Sequence, residues 1–133
     1  MFCSCVTPEE IIKIIYSFPN NKAPGMDNIC SKILKKISNS ITFPLTFIFN
    51  LSFTTGIVPD LLKIAKVIPV HKKGEKNLPG NYRPISLLSV FDKILEKLMY
   101  KRLSTYLEQN NILYDYQLLD LERIIQHLRL LWK

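Results

Sequence analysis

The first apolar positions of the chain recur at helical spacing. Ile11, Ile12, Ile14, Ile15 and Phe18 predict an amphipathic helix that starts at Thr7, with Pro8 in the first helical position and Glu10 placed to close a capping box. Pro19 and Asn20 end it. A second helix is predicted through Ile29, Ile33, Leu34 and Ile37, capped by Asp27 or Asn28, with Lys32, Lys35 and Lys36 on its outer side. Residues 41–55 read as a third helix, largely buried, with Pro44 near its first turn and Gly56 as a left-handed stop. Asn50, a polar residue inside that apolar stretch, is expected to bridge neighbouring backbone. A turn and a short helical segment follow at 58–63.

At Lys66 the period changes. Lys66-Val67-Ile68-Pro69-Val70 is a short run with β-branched residues and reads as a strand, and Tyr82-Arg83-Pro84-Ile85-Ser86-Leu87-Leu88 reads as its partner. Between them, HKKGEKNLPGN is basic and rich in turn residues, so a mobile loop is expected at the tip of a hairpin. Helical spacing then returns. Val90, Phe91, Ile94, Leu95, Leu98, Met99, Leu103 and Leu107 predict the strongest helix of the chain, from Ser89 to about Asn110, with Asp92, Lys93, Glu96, Lys97, Lys101 and Arg102 elsewhere on it. Leu121, Ile124, Ile125, Leu128, Leu131 and Trp132 form one more apolar stripe, and residues 118–133 are expected to be an amphipathic helix able to stick to another chain or to a second copy. The fold class expected is α+β, mostly helical around one small antiparallel hairpin.

Composition adds a bias of charge. The chain has 133 residues, 47% of them apolar, with 18 Lys and Arg against 11 Asp and Glu, which gives a net charge of +7. One small domain with a polyanionic partner fits those values. Cys3, Cys5 and Cys30 make neither an even disulfide set nor a zinc pattern and read as reduced thiols. No signal peptide is apparent, and the longest apolar tract, 41–53, is too interrupted and short to span a bilayer, so an intracellular protein, cytoplasmic or nuclear, is expected.

The charge is concentrated where the strands are. Residues 66–83 hold five cations (Lys66, Lys72, Lys73, Lys76, Arg83) against the single carboxylate of Glu75. Such a segment draws polyanions by counterion release, although many Lys clusters do no more than solubilise a surface. Arg83 stands between Tyr82 and Pro84 in an apolar run, where its guanidinium is suited to present a fixed fork of donors to a phosphate. His71 reads as structural or solvated. Asp92 and Glu96, one helical turn apart, are weighed as a metal pair and read instead as a solvated face. No catalytic and no metal-ligating residues are assigned, since nothing resembles a nucleophile with an adjacent base.

The strings IPVHKKG, NYRPISLLSVFDKILEKLM and RLSTYLEQNNIL, with NKAPGMDNICSKILKK and FNLSFTTGIVPDLLKIAKVIPV upstream, resemble in order and spacing the amino-terminal, fingers part of the reverse transcriptase domain of jockey-like, non-LTR retrotransposons. The similarity runs from about residue 8 to 117. It implies residues 1–117 as an incomplete part of a right-hand polymerase without its palm, and 118–133 as a divergent end. It implies that Lys72, Lys73 and Arg83 approach the triphosphate of an incoming deoxynucleotide, on a hinged hairpin that closes over it. Lys22 lies in the segment that approaches the template, although a lone loop lysine is more often merely solvated. Lys66 and Lys76 join it as candidate contacts to an RNA template or DNA primer. Polymerases of this family use Mg2+, whose carboxylate ligands lie in palm motifs; no Asp-Asp dipeptide occurs here, so the chain alone is expected to be inactive. The alternative is a non-enzymatic nucleic-acid-binding or interaction module derived from a decayed element.

Overall fold

The computed structural model describes residues 4–112. The order is α1 (Pro8–Ser17), α2 (Ser31–Lys36), α3 (Ser38–Thr55), a 3-10 turn (Asp60–Lys63), β1 (Ala65–His71), a second 3-10 turn (Pro79–Asn81), β2 (Tyr82–Leu88) and α4 (Val90–Gln109). The fold is therefore a mixed one, mostly helical, with one two-stranded antiparallel sheet. The expected helix at 118–133 lies outside the described residues.

Helix α1 forms where the sequence places it. Thr7 Oγ1 accepts the Glu10 N–H at 3.3 Å, and Pro8 opens the first turn. The Glu10 carboxylate does not close the box; it leaves the helix for Lys101 and Arg102, whose charges attract it more strongly than one backbone N–H. The order of contacts fixes the packing. Lys97 reaches Ser17 and Lys101 reaches Glu10, so α4 runs antiparallel to α1. Ile11, Ile15, Leu34, Phe49, Ile94 and Leu98 are fully buried between the helices and form the centre of the core.

The second helix departs from its predicted start. Asp27 spends its Oδ1 on the Ile29 N–H, and Asn28 takes a left-handed conformation at φ 57°, so neither caps it. It begins at Ser31, with Cys30 as an N-cap that makes no side-chain hydrogen bond. Helix α3 starts at Ser38, three residues earlier than the apolar run suggests, which leaves Pro44 inside the helix. Its hydroxyl residues fit by donating back one turn: Thr42 to the Ser38 carbonyl, Thr46 to Thr42, Thr54 to Asn50 and Thr55 to Leu51. Gly56 supplies the expected left-handed stop at φ 71°.

Helix α3 is not largely buried. Leu45 and Phe49 face the core, while Phe43 and Phe47 are 72% and 70% exposed and Leu51 is exposed one turn further on. A run this apolar carries no period to say which side faces in, and only one side has a partner among the described residues. Asn50 behaves as expected: its Oδ1 accepts the Val6 N–H at 2.7 Å and its Nδ2 donates to the Val6 carbonyl at 3.0 Å.

Candidate nucleic-acid interface

The ribbon is built from two strands in register from Ala65↔Leu88 to His71↔Tyr82. Lys72 N–H donates to the Asn81 carbonyl at 2.8 Å, which extends the ladder by one pair. Antiparallel ladders alternate, so the bonded pairs are Lys66↔Leu87, Ile68↔Ile85 and Val70↔Arg83. Pro69↔Pro84 falls on a non-bonded pair, where each missing N–H points to the outer edge and costs the ladder nothing. Two prolines at the same level also leave each edge without a donor at its middle.

Register decides which cations work together. Residues directly opposite share a face, so Lys66, Ile68, Val70, Arg83, Ile85 and Leu87 lie on one side. Lys66 and Arg83 thus stand on one basic and aliphatic face, and Lys72 continues the same alternation. The opposite face carries the two prolines and a ring pair, His71 and Tyr82, with centroids 5.4 Å apart and edge to face. Lys73 and Lys76 sit at the exposed tip. Lys22 is exposed on a different loop, which packs on the base of the ribbon through Gly25.

The tip is cross-linked by its own backbone rather than left loose. His71 Nε2 donates to the Gly74 carbonyl at 3.0 Å, Asn81 Nδ2 to the Glu75 carbonyl at 2.8 Å and the Tyr82 hydroxyl to the Lys76 carbonyl at 2.9 Å. Gly74 at φ 85° makes the turn that this closure needs. His71 and Tyr82 therefore support the tip, a role that alternation in the sequence does not announce. None of these contacts uses an ammonium or guanidinium group. Among the described residues, Lys66, Lys72, Lys73, Lys76 and Arg83 take part in no ion pair, and all five are exposed. The charge stays available to an outside anion.

The acidic residues do not assemble in the same way. Among the described residues no three of His, Cys, Asp and Glu gather where a metal ion could bind. The Mg2+ ions of a polymerase therefore do not fit the donors in residues 4–112. Asp92 is buried in the first turn of α4 rather than solvated, where the amino-terminal end of the helix favours a carboxylate. An open hollow of about 380 Å³ is lined by Ser4, Glu10, Lys101, Arg102, Thr105, Tyr106 and Gln109. Its charged residues are paired with one another. Among the described residues no helix is long and apolar enough to cross a membrane.

No protein-family profile matches the chain. Individual proteins do. It is 37% identical over 110 residues to a probable RNA-directed DNA polymerase from transposon BS of Drosophila melanogaster, a match that covers 82% of this chain and 12% of the relative. It is 33% identical over 111 residues to the corresponding protein from transposon X-element of the same fly, over 83% of this chain and 12% of the relative. The RNA-directed DNA polymerase from the mobile element jockey, also of Drosophila melanogaster, is 36% identical over 103 residues, which is 77% of this chain and 11% of the relative. The chain thus spans about an eighth of the length of these relatives. With the motif order and these matches in agreement, the chain is homologous to one stretch of the RNA-directed DNA polymerases of jockey-like, non-LTR retrotransposons.

Proposed function

We propose that this chain is the fingers part of a right-hand RNA-directed DNA polymerase, that it binds nucleic acid and triphosphate through the basic face and tip of the ribbon, and that it does not polymerise alone. The observation that carries the reading is the set of exposed cations on a rigidly registered ribbon, with no carboxylate partner among the described residues. Lys72, Lys73 and Arg83 then face the triphosphate of an incoming deoxynucleotide. Lys22, Lys66 and Lys76 face the phosphates of the RNA template or DNA primer. A triphosphate concentrates several negative charges, and cations fixed on a ribbon stabilise it without reorganising at the moment of binding. Residues 1–117 form this part in our reading. Residues 118–133 are a separate carboxy-terminal piece through which copies associate, and the protein acts inside the cell, where its RNA is.

Two measurements test the reading. The isolated chain, given a primed RNA template, deoxynucleotides and Mg2+, is expected to give no extension; any templated product overturns the inactive part of the claim. Affinity for single-stranded RNA is expected to fall steeply with salt. The triple substitution Lys22→Ala, Lys66→Ala, Lys76→Ala should weaken it and make the log–log salt slope shallower by about 2, given roughly 0.7 per phosphate contact on a single strand. An unchanged slope would remove the ribbon from the interface.

A further inference from the structure

We infer that the contact between the loop at 23–27 and the base of the ribbon is a positioning latch for nucleic-acid binding, with Asp27 and Ser89 as its polar catch and Gly25 as its seat. The inference rests on the RNA-binding reading above. The Ser89 hydroxyl donates to Asp27 Oδ2 at 2.6 Å, across 62 residues of chain. Asp27 Oδ1 accepts the Ile29 N–H at 3.1 Å, so the carboxylate is held at both oxygens. The same Ser89 oxygen accepts the Phe91 N–H at 3.2 Å and caps α4. One hydroxyl therefore joins the loop, the end of β2 and the start of α4. Gly25 is buried against this junction, and a Cβ there would lie 2.6 Å from Ser89 N and 2.8 Å from the Leu88 carbonyl carbon. Only a residue without a side chain lets the loop close on the backbone.

The ribbon has little else to hold its attitude. Its strands are exposed or half-buried at every position, and a two-stranded ribbon alone is marginal in water. Its direction relative to the helices is then set at its base. Lys66 stands opposite Leu87, the residue before Leu88, and Lys22 lies three residues before Gly25. With the latch closed, Lys22, Lys66 and Lys76 belong to one framework, and a bound strand meets them together. With it open, loop and ribbon must be ordered separately on binding, which lowers affinity. Simple electrostatics makes the opposite forecast for Asp27, because removing a negative charge should tighten binding to RNA.

The test uses Asp27→Ala, Ser89→Ala, their double variant and Ser89→Thr, each assayed for binding to a short single-stranded oligouridylate at a temperature where circular dichroism shows it fully folded. Each alanine variant is expected to bind about fivefold to tenfold more weakly, with the double variant no worse than either single, because both break one contact. Ser89→Thr should keep the parent affinity. Unchanged or tighter binding by folded Asp27→Ala overturns the inference. A second readout is independent of RNA: spin labels at Lys13→Cys and Glu75→Cys, with Cys3, Cys5 and Cys30 changed to Ser, report the spread of ribbon positions. The distance distribution should broaden in Asp27→Ala, and an unchanged width also overturns the latch. If the parent protein binds no RNA, the binding reading fails by itself and the distribution width alone decides the latch.

Discussion

Arg102 carries its charge inside the helical body, at 7% exposure, and the groups around it supply what water no longer does. Its Nε donates to the Ser4 carbonyl at 2.9 Å, Nη1 to the Leu98 carbonyl at 3.1 Å, and Nη2 to the Cys5 carbonyl at 3.3 Å and to Glu10 at 2.9 Å. The Phe53 ring lies 5.2 Å from the guanidinium. Burial by itself raises the Glu10 carboxyl, but the hydrogen bonds from Arg102 and Lys101 and their charges outweigh it and hold its pKa below the ordinary value. Glu10 thus binds a proton less readily when folded than when unfolded. Its contribution is fully present above the unfolded glutamate pKa of about 4.3 and is lost as the pH falls through the lower folded value. Glu10→Gln is expected to be less stable at neutral pH by about 1–3 kcal/mol, since Arg102 loses the carboxylate it is paired with among the described residues. The loss of stability on acidification should be shallower in the variant than in the parent. Thermal melts across that range check both, and identical pH profiles would rule the pair out as a source of acid sensitivity. The position was legible in one respect: Arg102 falls four residues after Leu98 and seven after Leu95, on the buried stripe of α4. Counting charges on the helix without asking which stripe each one occupied placed it outside.

At the scale of elements, the ribbon was the most readable part of the chain. The limits of β2 follow directly from a short apolar run bounded by Asn81 and Ser89, and β1 extends one residue beyond its predicted limits at either end. What no single strand reveals is that Pro69 faces Pro84, because register is a property of the pair. The consequence is testable. An open strand edge is a template for further strands, and proline at an outward position blocks it. Pro69→Val with Pro84→Val is expected to restore a donor to each edge, leave the intramolecular ladder intact and promote sheet-to-sheet association. Light scattering and thioflavin fluorescence on incubation measure this, and a double variant that stays as disperse as the parent would count against the edge role. The tip illustrates the opposite limit. Its Gly, Pro and Asn content announced a turn, but the bonds from His71, Asn81 and Tyr82 to backbone carbonyls depend on how the turn closes.

Over the whole molecule, the distribution of apolar surface separates a well-packed centre from an uncovered flank. Phe43, Phe47 and Leu51 recur every fourth residue on α3 and are exposed together, Ile57 and Leu61 are exposed between α3 and the ribbon, and Val67 is exposed on β1. Large exposed apolar flanks are commoner at interaction surfaces than on isolated monomers. The double substitution Phe43→Ser, Phe47→Ser should therefore leave the melting temperature nearly unchanged, because no buried contact is lost, while raising solubility. A large fall in melting temperature would place those rings in the core instead. The candidate site divides in the same way between what is local and what is not. The cations of residues 66–83 and their strands were readable from composition and period; the junction of Gly25, Asp27 and Ser89 was not, because Ser89 lies more than sixty residues from the other two.

The segment before α1 has a consequence for how the protein tolerates shortening. Val6 is pinned at both its N–H and carbonyl by Asn50, and the carbonyls of Ser4 and Cys5 receive Arg102, so three consecutive residues act as a clasp between α3 and α4. Trimming the chain to begin at Thr7 would remove the buried Val6 side chain from the core and orphan an amide and two guanidinium donors at once. The helical body is then expected to open at that end first, visible as early protease cuts near Phe53 and Arg102.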